Sequence, residues 1–126
     1  MVTINHLDLL NELYSQLLNS DWTTFEEVKA KKKVIGVYII YSNADEILYI
    51  GSTNNFNVRF GTDLCYESTH TLLRKLLKTE VHPSKVVAID HFKNHYKYKI
   101  QVCSSKREAE ALEHLAIWVL NPRFNK

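Results

Sequence analysis

Two tyrosines lie on segments that the sequence predicts to be neighbouring β-strands. Tyr38 belongs to the β-branched and aromatic run 34–41, and Tyr49 belongs to a similar run, 46–51, beyond the turn signal at 42–45. We expect these runs to pair as a β-hairpin and to bring both phenolic hydroxyls to one face of a sheet. A phenol within hydrogen-bond reach of a reacting water can orient that water or accept its proton.

Two charged residues could complete such a site. Arg59 lies between Val58 and Phe60, and its planar guanidinium can bind two phosphate oxygens at once, which a lysine cannot do. Glu113 follows Leu112 on a predicted helix, so we expect its carboxylate to point toward the sheet. A single carboxylate suits Mg²⁺, which keeps several of its waters. The plainer alternatives are cross-strand packing for the tyrosines, a surface ion pair for the arginine and a solvated helix face for the glutamate.

The spacing of these residues resembles that of a known family. Gly36-Val37-Tyr38 is followed after ten residues by Tyr49-Ile50-Gly51, with Arg59 eight residues beyond Gly51 and with Glu113 and Asn125 near the C-terminus. This arrangement resembles the GIY-YIG endonuclease superfamily. The resemblance implies an α/β fold of the α+β type, in which a small antiparallel sheet of three or four strands is flanked by helices. It also implies a nuclease-like domain at 34–126 and leaves 1–33 as an N-terminal helical extension.

The resemblance gives each of these side chains an implied role. In the family, the corresponding glutamate binds one divalent metal, which makes Glu113 the implied ligand of Mg²⁺ or Mn²⁺. Arg59 is the implied contact of the scissile phosphate. Tyr38 and Tyr49 are the residues implied to orient or deprotonate the attacking water, and the sequence does not decide between them.

Three further positions can be compared with the family. Asn125 ends a Pro-x-aromatic-Asn signature at 122–125, whose amide is implied to brace the site. His70, at the start of a predicted leucine-rich helix, falls where phage homing members also have histidine. The match implies proton transfer or a phosphate contact, and the alternative is an ordinary helix-start residue. Ser52 follows the second motif, where phage homing members have serine and excision-repair members usually have lysine.

The resemblance therefore implies a metal-dependent DNA endonuclease that hydrolyses phosphodiester bonds of duplex or branched DNA. The alternative is a nucleic-acid-binding module on the same scaffold that does not cut. In either case, we expect the groove contacts to be salt-sensitive contacts with phosphates. The basic residues predicted to make them are Arg74, Lys75 and Lys78 on one helix and, as a second strip, Lys93, Lys97 and Lys99.

The first 33 residues predict two helices. Apolar residues recur at helical spacing from Ile4 to Leu18. A shorter helix is predicted to begin after Thr24, whose hydroxyl can cap the backbone while Glu27 reaches back. These helices could cover one face of the sheet, touch the substrate, or bind a protein partner or a second copy of the chain.

The rest of the chain predicts a mixture of helices and strands. A short helix is predicted to start at 53–55 and to stop at Gly61, and a capping-box pattern at Ser105 and Glu108 opens the final helix. That helix is predicted to end at the Asn-Pro pair, 121–122. The other predicted elements are a leucine-rich helix from 69 or 70 to 78 and strands at 86–92 and 96–103, at least one of which should join the hairpin.

The composition sets bounds on these interpretations. The chain has 126 residues, 45% hydrophobic content and a net charge of +2, which fit one compact domain but do not by themselves indicate a nucleic-acid binder. Its two cysteines, Cys65 and Cys103, show no Cys-x-x-Cys spacing, and we expect no signal peptide because the N-terminus is acidic and polar. No apolar stretch approaches the ~20 residues of a membrane helix. We therefore expect a reduced, cytoplasmic setting and no membrane partner.

Overall fold

Helices flank a small β-sheet in this chain. The structure, a computed structural model, describes residues 6–61, 71–78 and 84–125. In chain order, the described elements are the helices α1 (His6–Asn19) and α2 (Phe25–Lys29), the strands β1 (Gly36–Tyr41) and β2 (Ile47–Thr53), the helices α3 (Phe56–Phe60), α4 (Thr71–Lys78) and α5 (Lys85–Asn94), the strand β3 (Lys97–Val102) and the helix α6 (Lys106–Leu120). None of these helices is both long and apolar enough to cross a membrane.

The strands β1 and β2 form the predicted antiparallel hairpin. Their register places Tyr38 opposite Gly51, and a bulge interrupts it between Ile40 and Tyr41. The strand β3, which lies within the predicted strand 96–103, pairs antiparallel with the other side of β1. Within the described residues, the strand order is therefore β2-β1-β3. This confirms the expected fold class, an α+β domain in which three antiparallel strands are flanked by helices.

The segment 86–92 is helical, and the strand prediction for it is wrong. It lies in α5, where Ser84 caps the helix by accepting a hydrogen bond from a backbone amide of the first turn at 3.3 Å. Ala88 and Phe92, four residues apart, are buried, whereas Val86 is 79% exposed, so burial follows the period of a helix. The β-branched residues give the segment a strand-like composition, but the cap and the buried face decide its structure.

Alternating residues of β1 divide the core between two faces of the sheet. Tyr38 and Ile40 pack with residues of α2, α3, α4 and α5 on one face, which we call the tyrosine face. Val37 and Ile39 pack with α1 and α6 on the opposite face, which we call the α6 face. All four side chains are fully buried, so neighbouring residues of the strand meet different sets of helices.

The N-terminal helices are part of both cores. Leu17 of α1 is buried on the α6 face, and Phe25 and Val28 of α2 are buried on the tyrosine face. The chain between the two helices is attached to β3, because the amides of Thr23 and Tyr98 donate to each other's carbonyls at 2.8 and 3.1 Å. Covering one sheet face is thus a role that α1 fulfils. The domain boundary after residue 33 and a partner bound through these helices stay predictions.

Helix caps lie where the sequence predicts them. The Thr24 hydroxyl accepts from the Glu27 amide at 3.2 Å and the Glu27 carboxylate accepts from the Thr24 amide at 3.3 Å, which completes the capping box of α2. The Ser105 hydroxyl caps α6 by accepting from the Glu108 amide at 3.1 Å. Asn121 ends α6 in a left-handed conformation, with φ of 48°.

Candidate active site

Tyr38 lies at the centre of the tyrosine face. Its side chain is 0% exposed, and its ring packs edge-to-face on Phe60 with the ring centroids 5.1 Å apart. The ring of Tyr49, which is 8% exposed, lies beside it with the centroids 6.4 Å apart. The hairpin therefore brings the two phenols together on one face of the sheet.

Gly51 makes room for the Tyr38 ring. The two residues lie opposite each other in the hairpin, and a Cβ atom on Gly51 would lie 2.5 Å from Tyr38 Cζ and closer still to the phenolic oxygen. No side chain fits in that space, so the tyrosine of the first motif requires the glycine of the second. The phenolic oxygen is thereby fixed above the backbone near the end of β2.

The short helix α3 carries Arg59 to the same phenol. Asn55 caps this helix, because its Oδ1 accepts from two backbone amides of the first turn at 3.1 and 3.4 Å. Phe56 and Phe60 are fully buried. Arg59, which lies between them in the sequence, is half-buried. Arg59 Nε donates a hydrogen bond to Tyr38 Oη at 3.3 Å. The cap, the aromatic anchors and this hydrogen bond together fix the guanidinium relative to the tyrosines.

Burial raises the pKa of Tyr38 to about 12. The Arg59 guanidinium lowers this pKa, and Tyr49 and Glu113 raise it, but each of these effects is smaller than that of burial. Tyr38 is therefore a neutral phenol near pH 7. Because Arg59 donates to its oxygen, the hydroxyl of Tyr38 can give its own hydrogen to another acceptor.

Glu113 approaches the same region from the other face of the sheet. It belongs to α6, whose Leu112 is buried on the α6 face. Ser52 follows Gly51 and so points to the opposite side of β2, where its Oγ donates to Glu113 Oε1 at 2.7 Å. The charge of Glu113 also contributes to the raised pKa of Tyr38. The carboxylate and the phenol thus lie near the end of β2 on opposite faces of the sheet, close enough for the charge of Glu113 to affect the phenol.

A cavity of about 350 Å³ lies at this end of β2. Arg59 lines it from the tyrosine face, Lys106 and Glu110 line it from α6, and Ser52 lines it from the strand between them. Since a water molecule takes up about 30 Å³ of liquid, the cavity has room for a phosphate group and a hydrated cation.

The C-terminal segment holds the outer edge of β2. The Phe124 amide donates to the Leu48 carbonyl at 2.9 Å. Asn125 Oδ1 accepts from the Ile50 amide at 2.7 Å, and Asn125 Nδ2 donates to the Ile50 carbonyl at 2.8 Å. The asparagine therefore pairs with both backbone groups that Ile50 turns outward at the sheet edge, next to Gly51. This geometry is that of a brace on the strand.

The predicted contacts on α4 lie in different environments. Arg74 and Lys78 are exposed, whereas Lys75 is half-buried and its Nζ donates to the Phe124 carbonyl at 2.6 Å. Lys75 therefore fastens the C-terminal segment as well. His70 lies outside the described residues, and its role stays a prediction.

The second predicted basic strip is divided between the two sides of the protein. Lys97 and Lys99 point to the α6 face, because β3 pairs them with residues of that face. Lys97 forms an ion pair with Asp45 and lies over the Trp22 ring, and Lys99 Nζ donates to a carbonyl of α1 at 2.7 Å. Lys93 is exposed in the last turn of α5. Nucleic-acid contacts by these three lysines stay a prediction.

Sequence reasoning missed the role of Ser52 and the two cavity residues of α6. In the sequence, Ser52 is the residue that follows the second motif, and its contact with Glu113 depends on how α6 packs on the sheet. Lys106 and Glu110 precede Glu113 by seven and three residues, a spacing that puts all three on one face of the helix. That spacing is a signal from which their position could have been found.

The residues present fit a hydrated divalent metal. Of the side chains in the described ranges, no three from His, Cys, Asp or Glu come together as a metal-binding group. Glu113 supplies a single hard oxygen ligand whose orientation is set by Ser52. Mg²⁺ commonly binds through one or two carboxylates and keeps several waters, for which the neighbouring cavity has room.

The family model described as the GIY-YIG catalytic domain matches residues 34–126. The chain belongs to the GIY-YIG family. Among solved structures, it is similar to the magnesium-bound GIY-YIG N-terminal endonuclease domain of UvrC from Thermotoga maritima, with 21% identity, a TM-score of 0.54, and coverage of 80% of this chain and 93% of that chain. A Tyr-to-Phe and an Asn-to-Ala point mutant of that domain match with TM-scores of 0.54 and 0.53, at 21% and 20% identity, each covering 80% of this chain and 92% of that chain. No curated protein matches the chain in sequence.

The two motifs of this GIY-YIG protein lie on the paired strands β1 and β2. The first motif is the start of β1, and the second motif ends where Gly51 receives the Tyr38 ring. At 20 to 21% identity, the likeness to the UvrC domain shows a shared nuclease-type fold.

Replacing Gly51 by alanine should destabilise this GIY-YIG domain, because the new Cβ would overlap the Tyr38 ring. Overpacking of this kind costs ~1–3 kcal/mol, and we expect a loss of that size in the free energy of unfolding by urea. In a Tyr38→Leu background the same change should cost much less, because the ring is gone. Urea unfolding of the four proteins in this double-mutant cycle measures the coupling, and equal losses in both backgrounds would contradict the contact.

Proposed function

We propose that this protein is a metal-dependent DNA endonuclease that hydrolyses phosphodiester bonds. The observation that carries the proposal is the arrangement at the end of β2, where the Arg59–Tyr38 hydrogen bond on one side and the Ser52–Glu113 hydrogen bond on the other flank one cavity. Membership of the GIY-YIG family and the fold shared with a UvrC endonuclease domain support the proposal.

Arg59 and Glu113 have complementary roles in this proposal. The guanidinium of Arg59 binds oxygens of the scissile phosphate and stabilises the negative charge that develops in the transition state. Glu113 would hold Mg²⁺ or Mn²⁺, which would supply a Lewis acid for the reaction. Tyr38 accepts a hydrogen bond from the guanidinium and keeps it in place. Ser52 donates a hydrogen bond to the carboxylate and keeps that group in place.

The two tyrosines receive different roles. Tyr38 would have to lose a proton from a fully buried phenol with a pKa of about 12 before it could act as a base near pH 7. We therefore assign it the orientation of Arg59 and a hydrogen bond from its hydroxyl to the phosphate or to water. Tyr49 is the more exposed of the two, and we assign it the activation of the attacking water.

The proposed substrate is duplex or branched DNA. Exposed basic residues of α4 and α5 would contact its phosphates, and such contacts weaken as the salt concentration rises. Asn125 acts through the strand in this proposal, because it touches the backbone of β2 and holds the edge beside Gly51. The basic residues proposed for phosphate contact on these helices are Arg74, Lys78 and Lys93.

The purified protein should nick supercoiled plasmid DNA in Mg²⁺ or Mn²⁺ and should not nick it in EDTA. Glu113→Gln keeps the size of the side chain and an oxygen for Ser52 but removes the charge that holds the metal. Arg59→Ala removes the phosphate contact. Each change should lower the single-turnover nicking rate by ~10²–10³-fold. Circular dichroism should show that both variants keep the fold.

Glu12→Gln is the matched control, because Glu12 is an exposed glutamate of α1 and lies outside the cavity lining. It should nick at the wild-type rate. Binding of DNA without nicking in either metal would contradict the endonuclease and favour the alternative, a nucleic-acid-binding module that does not cut.

Ser52→Ala should weaken metal binding, because the Glu113 carboxylate loses the hydroxyl that orients it. Loss of an outer partner of a metal ligand typically lowers metal affinity by 10–100-fold, so the Mg²⁺ concentration for half-maximal nicking should rise by at least ~10-fold. Ser52→Thr keeps the hydroxyl and should keep the wild-type requirement for Mg²⁺. An unchanged requirement in Ser52→Ala would show that the hydrogen bond does not position the metal ligand.

A further inference from the structure

Lys106 lines the same cavity as Arg59, although it comes from the opposite side of the sheet. It is the first residue of α6, and its side chain is 76% exposed. We propose that Lys106 forms a second phosphate subsite, which binds a phosphate adjacent to the scissile one on the DNA strand that is cut. This inference rests on the proposed function and adds a substrate contact to it.

The fold of α6 does not need a lysine at this position. A positive charge in the first turn of a helix opposes the helix dipole, which favours negative charge there. The partner of Lys106 is Glu110 at 3.8 Å, in the i, i+4 order with lysine first, which is the weaker of the two orders. Both side chains are largely exposed, so the pair contributes little to stability. A phosphate can therefore replace Glu110 as the partner of Lys106 at a small cost in stability.

The cavity has a cation on each of two walls. Among the described residues that line it, Arg59 and Lys106 are the two cations, and Ser52, the partner of Glu113, lies on the strand between them. In this proposal, a strand whose scissile phosphate lies against Arg59 continues along this cavity toward α6. On the α6 side, the cation that it meets there is Lys106, which is long and flexible enough to follow a phosphate.

Arg107 provides a natural comparison. It is the next residue along the same first turn and carries the same charge, but it lines a different cavity, between α1 and α6, together with Leu7 and Leu10. The two side chains therefore have the same relation to the helix dipole and differ in the surface that they face.

The test is DNA binding by the full chain in EDTA, measured by fluorescence anisotropy with a fluorescein-labelled duplex over a series of KCl concentrations. Lys106→Ala should bind about tenfold more weakly than wild type, because a charge-assisted hydrogen bond is lost. The slope of log K against log salt should become less steep by ~0.9, the change for one phosphate contact. Arg107→Ala should keep the wild-type slope, and Lys106→Arg should keep the wild-type affinity.

The outcomes separate this inference from the proposed function. If wild type nicks plasmid DNA and Lys106→Ala binds as wild type does, the subsite is overturned and the endonuclease stands. Equal weakening by Lys106→Ala and Arg107→Ala also overturns it, because the effect would then follow net charge alone. Wild-type protein that neither binds nor nicks DNA overturns both proposals. Urea unfolding should show Lys106→Ala to be at least as stable as wild type, which excludes misfolding as the cause of weaker binding.

Discussion

The contact of the Tyr38 ring with the backbone of Gly51 is the constraint on which the candidate site depends. A ring that lies this close to the neighbouring strand leaves no space for a side chain, so the hairpin tolerates only glycine there. The ring is held from its other side by Phe60, and its hydroxyl accepts from Arg59. One cross-strand contact therefore sets the position of the phenol and, through it, that of the guanidinium.

The register of the hairpin joins the two halves of the site. Because side chains alternate along a strand, Gly51 and Ser52 face opposite sides of the sheet. Gly51 receives Tyr38 on one side, and Ser52 holds Glu113 on the other. A slip of one residue would exchange these positions and separate the carboxylate from its serine. The double hydrogen bond between Asn125 and Ile50 holds the outer edge of this strand.

Local signals in the sequence predicted much of the fold. Several predicted features depend only on residues close together in the sequence, and the structure agrees with them. They are the hairpin, the capping residues Thr24 and Ser105, and the end of α6 at Asn121. The strand prediction for the segment 86–92 is wrong because it depends on the β-branched composition of the segment. The helical pattern of burial, with Phe92 in the core, is known only from the structure.

The candidate site could be predicted in part. The pairing of the tyrosines follows from the hairpin, but the Ser52–Glu113 contact joins residues 61 positions apart and depends on how a helix packs on the sheet. The same limit applies to the basic residues. Lysines such as Lys75 and Lys99 look like phosphate contacts in the sequence, whereas in the structure each donates to a backbone carbonyl of a distant segment. Tertiary packing decides these contacts, and local spacing does not encode them.

The central claim is that a metal ion at Glu113 and a phosphate at Arg59 share the space at the end of β2. Anomalous diffraction from crystals grown with Mn²⁺ tests this most directly, because it locates the ion without reference to activity. The account predicts a peak within direct coordination distance of a Glu113 carboxylate oxygen, in the cavity that Arg59 lines. A peak at other carboxylates, with none at Glu113, would contradict it.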